Sequence, residues 1–169
     1  MLKRYREHLF IGLAILMAGC QGSSAPPALA DGPARGRIHA GQGVDALQLG
    51  ESRADVEKAL GAPEGVDHNE FNKNQTYDLY YAKGLELGFS KDQLESIVCH
   101  PQEDRWVAYP GATAEGLWVG SRKPDFEKIL GTPKEALSQA LKYADRGLWI
   151  EFDKDGKVSA IKIGKPGVS

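Results

Sequence analysis

Few side chains in this sequence are placed where they could do chemistry. Cys99 is followed by His100, and a thiol beside an imidazole invites a metal or redox reading. Two ligands fall short of the three or four that zinc needs, and Cys99 aligns with Ile163 further along the chain, which predicts a small core residue instead. Asp67-His68-Asn69-Glu70 offers more ligands, but in a polar stretch with no second cluster, so a solvated loop is expected. Asp153-x-Asp155-Gly156 opens like a calcium loop, yet the later ligands and the closing acid do not fall into place, and a hairpin turn fits better. Asp55 and Asp125 recur at equivalent positions, as a pair of catalytic carboxylates would. Electrostatics in the first turn of a helix explains that recurrence without catalysis. His68 and His100 are the imidazoles of residues 44–164, and neither has a nucleophile or an orienting acid in its sequence context. No catalytic residue, metal site or cofactor is expected, and the chain reads as a non-enzyme.

The aromatic residues carry a different chemistry. Trp149 stands between Leu148 and Ile150, at the position that Glu86 holds earlier in the chain. Trp118 stands between Leu117 and Val119, opposite Gln48. Strand alternation puts both rings on a face that the earlier segment keeps polar. Tryptophan is enriched in binding hot spots, so a partner-binding surface is one reading, with Trp106 and Tyr109 as additions. The other is that the rings pack beneath the segment joining the two halves, or against the opposite sheet.

The N-terminus determines where such a surface would work. Lys3, Arg4 and Arg6 precede an apolar run from Leu9 to Met17, which closes on Ala18, Gly19 and Cys20. A charged start, a short apolar stretch and small residues before the cut mark a secretory signal over residues 1–19. The run is well short of the ~20 residues that span a bilayer. Met17-Ala18-Gly19-Cys20 resembles the bacterial lipobox, with Met in place of the usual Leu, and implies a lipidated Cys20. Gln21 in the next position implies the outer membrane, facing the periplasm, in a Gram-negative host. Residues 1–19 carry three basic residues and one acidic; without them 18 Lys+Arg stand against 22 Asp+Glu, a net charge of −4. Nucleic acid and anionic lipid headgroups, which need clustered positive charge, are poor partners. Cys99 alone cannot build an internal disulfide framework, so the core must supply the stability. Residues 20–43 are rich in Ala, Gly, Pro and Ser and read as a tether with a reach of about 25–30 Å.

The elements that must position these residues come as a repeat. Leu49 to Pro63 aligns without a gap on Val119 to Pro133, sharing Gly, Asp, Glu-Lys, Leu-Gly and Pro. Tyr81 to Phe89 matches Tyr143 to Phe152 with one residue inserted, and Leu94–Ile97 matches Val158–Ile161. The division follows: repeat 1 over 44–101, a joining segment over 102–113, repeat 2 over 114–164 and a tail over 165–169. In each copy a capped start (Ser52 with Asp55; Pro124 in the first turn) leads into an apolar stripe. Val56, Ala59 and Leu60 form it in one copy, Phe126, Ile129 and Leu130 in the other. Gly61 and Gly131 stop the helices. Leu85, Leu87 and Phe89, like Leu148, Ile150 and Phe152, alternate along a strand. Ser90 to Gln93 and Asp153 to Gly156 are turns between strands. The predicted class is α+β, two tandem repeats, each a short helix packed on an antiparallel sheet.

The Gly…Asp-Val/Phe…Leu-Gly-x-Pro signature, followed by a Tyr-bearing strand and a hairpin, resembles the SmpA/OmlA (BamE) lipoprotein domain. It is also similar to the tandem repeats of β-lactamase-inhibitor-protein-like domains. The likeness covers most of residues 44–98 and 114–163. It implies an outer-membrane lipoprotein that binds another envelope protein, possessing no enzymatic role and contributing to outer-membrane assembly or maintenance. The inhibitor-like side implies instead a domain that binds a secreted enzyme, an envelope component or a small ligand. Two copies depart from the single BamE domain, and the lone Cys99 departs from the disulfides of the inhibitors.

Overall fold

Both helices start on caps rather than on strong helix formers. The computed structural model describes residues 33–167, so the signal sequence, Cys20 and the first part of the tether lie outside the described residues. From Pro33 the chain forms β1 (Ala34–His39), β2 (Gly43–Val44), β3 (Leu47–Gln48) and α1 (Arg53–Leu60). It continues through β4 (Gly65–His68), β5 (Gln75–Tyr80), β6 (Leu85–Ser90) and β7 (Gln93–Cys99). Next come β8 (Gly111–Thr113), α2 (Lys123–Leu130), β9 (Glu135–Ala136) and β10 (Ala140–Tyr143). β11 (Leu148–Phe152) and β12 (Val158–Gly164) complete the set.

At α1 the Ser52 hydroxyl accepts from the Asp55 backbone N–H at 3.2 Å; at α2 the Asp125 carboxylate accepts from the Arg122 N–H at 2.8 Å. Each satisfies one orphan donor of a helix start. Gly61 and Gly131, at φ of 87° and 79°, end the helices in a conformation that other residues rarely adopt. Only Val56 is buried in α1, and Phe126 with Leu130 in α2. Ile129, expected on the same stripe, is 46% exposed, because a two-turn helix resting on a sheet buries a narrow strip.

The expected helix-on-sheet tandem repeat is corrected by the strands. The described chain is mainly β, with two sheets of four and eight strands and two α-helices. The halves do not build a sheet each. Their last strands, β7 and β12, pair antiparallel, so the eight-stranded sheet runs β4-β5-β6-β7-β12-β11-β10-β9. Val98 faces Lys162 at the centre, with Ile97 against Ile163 and Cys99 against Ile161. A local two-fold axis through the Val98–Lys162 pair therefore relates the halves. The second sheet, β3-β2-β1-β8, is drawn from segments that composition assigned elsewhere. β1 lies inside the expected tether and β8 inside the joining segment, and they pair with each other in parallel. Neither has an apolar pattern of its own; Ile38 and Ala112 are buried by the pairing.

The halves are closer copies in space than the sequence alignment indicates. Tyr80, not Tyr81, is the counterpart of Tyr143: the two hydroxyls donate to the carbonyls of Gly61 and Gly131, both at 3.1 Å. Each tyrosine precedes a 3-10 turn (Tyr81–Lys83; Ala144–Arg146) closed by a left-handed glycine, Gly84 or Gly147. No insertion is then needed before Phe89 and Phe152; the one extra residue of the second half falls in the turn that follows. Tyr81 then corresponds to Ala144, Glu86 to Trp149 and His100 to Gly164. Two matching hydrogen bonds fix the last pair: His100 N–H to Gly84 O at 2.9 Å, and Gly164 N–H to Gly147 O at 3.0 Å.

The inner face of the large sheet carries Leu85, Leu87, Phe89, Ile97, Ile150 and Ile161 among others, all fully buried in one core with Val56, Phe126, Ile38 and Leu117. The helices and the small sheet therefore cover this face. The outer face carries the alternate residues.

Candidate functional site

The outer face is polar over most of its width, and the two halves treat it differently at one symmetric position. In the first half, the segment after β7 folds back over the sheet. The Trp106 ring stacks on His100 with centroids 3.8 Å apart and planes 10° from parallel, and meets Tyr81 edge-on at 4.6 Å. The Arg105 guanidinium also lies over Tyr81, 4.5 Å from the ring centroid. Glu86 Oε2 sits 3.3 Å from His100 Nε2, without hydrogen-bond geometry. Backbone bonds hold the segment down: Val107 N–H to Tyr81 O at 3.0 Å and Tyr109 N–H to His100 O at 2.9 Å. Gly84 lets the segment pass, since a Cβ there would stand 2.3 Å from Val107 O.

In the second half, no loop among the described residues covers the same position. A cavity of about 290 Å³ has Ala144, Gly147, Leu148, Trp149 and Gly164 in its lining. Lys134, Lys142, Lys162 and Lys165 also line it, against one acid, Glu135. Trp149 lies across the sheet between its strand neighbours: Lys142 Nζ is 4.1 Å from the ring centroid and Lys162 Nζ 6.0 Å. Lys142 also pairs with Glu135 at 2.9 Å. The indole Nε1 is buried without a hydrogen-bond partner among the described residues. An unpaired buried donor of this kind costs stability.

The other aromatic candidates take structural roles. Trp118 packs against the core, its ring filling the space over Gly120, and its backbone N–H donates to Ser121 Oγ at 3.0 Å. Tyr109 is in the core at 2% exposure, and its hydroxyl donates to Asp45 at 2.9 Å. Burial, and then that bond to Asp45, push the phenol up. Arg37 pairs with the same carboxylate and, with Tyr109, holds it below the usual aspartate range. Trp106 closes the first half's outer face. Of the four, Trp149 is the one that lines this cavity.

The remaining candidates are placed as follows. Cys99 is fully buried against Leu85 and Ile161, and desolvation pushes its thiol up, away from the nucleophilic thiolate. His68 ends β4, and Asn69 Oδ1 accepts from the Phe71 and Asn72 N–H groups in the turn that follows. No group of three or more His, Cys, Asp or Glu side chains with metal-binding geometry occurs among the described residues. Asp153 Oδ1 accepts from the N–H groups of Asp155 and Lys157, both at 2.9 Å, as a hairpin turn requires.

Two residues escaped the sequence reading. Phe71 projects from the β4–β5 turn at 98% exposure, a lone aromatic in a run of Asn, Glu and Lys. That isolation was itself the signal. Asp78, fully buried on β5, is ion-paired with Arg53 from the start of α1. Comparison with known proteins finds no matching family model, no matching curated protein and no matching solved structure.

Proposed function

We propose that this chain is a membrane-anchored bacterial envelope lipoprotein, held by lipid on Cys20, that acts as a non-enzymatic protein-interaction module. Its docking face is the outer surface of the second half around Trp149. The observation that carries this reading is the asymmetry of one sheet face: the first half covers the position with its own Trp106, the second leaves a lysine-lined cavity beside a partly exposed tryptophan. The aromatic wall supplies the apolar contact that concentrates binding energy, and the lysines supply steering. Phe71, on the far half of the same sheet, is a second apolar point a partner would cover.

Photo-crosslinking in cells tests this, with the probe replacing Trp149 and, as a matched control, Glu86. A discrete adduct to one envelope protein is expected from position 149. Position 86, in contact with His100 beneath the Trp106 segment, is expected to give none. Equal adducts from both positions, or none from position 149 in protein shown to be lipidated and folded, would contradict it.

A further inference from the structure

The local two-fold axis identifies what the cavity is shaped to hold. In the first half, six residues, Pro101 to Trp106, separate His100 from Val107, whose N–H donates to Tyr81 O. In the second half only Lys165 and Pro166 separate Gly164 from Gly167, whose N–H donates to Ala144 O at 2.8 Å. The tail thus makes the same anchoring bond at the symmetric carbonyl. It lacks only the loop that carries the aromatic ring. Gly164 and Ala144 replace the His100 and Tyr81 rings that Trp106 rests against, so the floor is smaller and the space larger. At about 290 Å³ the cavity lies near the lower end of the ~300–1,000 Å³ range of ligand pockets, room for one ring system.

Charge narrows the choice of what carries the ring. The Trp106 loop has two acids, Glu103 and Asp104, and one base, Arg105, close to balance. The open cavity has four lysines to one glutamate, so its occupant carries net negative charge.

We infer that the cavity of the second half is a receptor for an aromatic side chain on an acidic peptide segment of a partner protein, which docks there as Trp106 docks within the chain itself. The inference rests on the interaction-module reading and gives it a specific ligand chemistry. The ring lies against Trp149 and the apolar floor, while the flanking carboxylates meet Lys142, Lys162 and the lysines beside them.

The test uses the folded protein, isotope-labelled, titrated with a synthetic Glu-Asp-Trp-Asp-Glu peptide and followed by amide and indole NMR shifts. Shifts are expected at Gly147, Trp149, Lys162 and Gly164, with the symmetric set Gly84, Glu86 and His100 unmoved. Replacing the peptide tryptophan by alanine, or its acids by lysine, is expected to weaken binding by about tenfold or more. Ala144→Tyr fills the cavity with the side chain that the first half carries at Tyr81, which shows that the turn accepts it, and is expected to abolish the shifts. Shifts spread over both halves, equal binding of the alanine or lysine peptide, or full binding by Ala144→Tyr would overturn the inference. So would self-association in which Phe71 of a second copy fills the cavity, detected as a concentration-dependent shift lost on Phe71→Ser. An in-cell adduct at position 149 without peptide binding would overturn this inference alone. Peptide binding without any adduct would leave the pocket chemistry standing and overturn the proposed function.

Discussion

Replacing Arg53 by alanine is expected to destabilise the protein by about 3 kcal/mol at neutral pH, the lower end of what breaking a buried ion pair costs. Asp78 is fully buried on β5, and Arg53 reaches it from the first residue of α1 while also donating to Thr76. The Arg53 guanidinium lies over Phe89, 4.3 Å from the ring centroid, and is 3.5 Å from Asp92. Removing it leaves a carboxylate with no counterion, and one of its oxygens is already unpartnered. Burial pushes the Asp78 carboxyl up, and Arg53 opposes this only in part. A carboxyl raised in the folded state favours folding most at low pH, and the contribution is lost as pH rises through the folded value. Without Arg53 that rise is larger, so the deficit of the variant should shrink as the pH is lowered and Asp78 becomes protonated. The second half supplies the control, since it carries Lys123 and Leu141 at these positions. Arg53→Lys with Asp78→Leu copies that arrangement and is expected to recover most of the loss, as apolar replacements of buried pairs often do. Denaturant unfolding at pH 7 and pH 4 reads all of this. A single-variant cost below about 1 kcal/mol, or a double variant no better than the single, would contradict it.

Trp106→Ala is expected to cost about 3 kcal/mol, whereas Trp149→Ala should cost about 1 kcal/mol or less. Deleting a large aromatic costs roughly 3–5 kcal/mol when it is fully buried, and Trp106 is partly exposed, so the low end applies. Its ring is clamped between His100 and Tyr81, and its loss frees the whole turn from Pro101 to Trp106. Limited proteolysis should then cut that turn in the variant and spare it in the parent. The Lys142 and Lys162 ammoniums lie 4.1 and 6.0 Å from the Trp149 ring centroid, an arrangement worth about 0.5–1 kcal/mol. Equal losses for the two variants would show that Trp149 is a packing residue like the other. A larger loss for Trp149 would assign the structural role to the wrong half.

Much of the local structure was legible in the residues. Ser52 with Asp55, Gly61 and Gly131 mark helix ends because each satisfies or permits a backbone geometry that few other residues allow. Lys91 and Asp92, both at positive φ, sit in the tight turn foreseen between two strands. Cys99 was legible as core because its sister position holds Ile163. The larger arrangement was not legible, for a physical reason: it depends on pairing between distant segments. β1 is Ala-Arg-Gly-Arg-Ile-His, with one large apolar residue, and it is a strand only because β2 and β8 lie on either side. β9 is two exposed residues at a sheet edge and shows no alternation. The β7–β12 register that merges the halves leaves no local mark, since both strands look the same whether they end a sheet or join two. That merger, with the second sheet, is why a helix on its own sheet, twice over, was the wrong architecture.

The site was half legible for a related reason. Trp149 and Trp118 both read as outward aromatics, with Trp106 as an addition from the joining segment, and periodicity cannot say which of them the chain covers with its own residues. Trp106 is satisfied by His100 and Tyr81, neighbours in the fold. Trp149 faces lysines and an open recess. Tyr109 read as surface-bound because the joining segment looked like a linker, but it dips into the core where that segment turns to become β8.

The most direct measurement is fluorine NMR of protein containing 5-fluorotryptophan, titrated with the partner recovered by crosslinking at position 149. The folded domain gives one resonance each for Trp106, Trp118 and Trp149, assigned by single substitution. The expected result is that the Trp149 resonance shifts on binding and loses its response to solvent isotope, while those of Trp106 and Trp118 stay fixed. A shift at Trp106 or Trp118 with Trp149 unchanged would contradict the assignment of the second half's outer face as the docking surface.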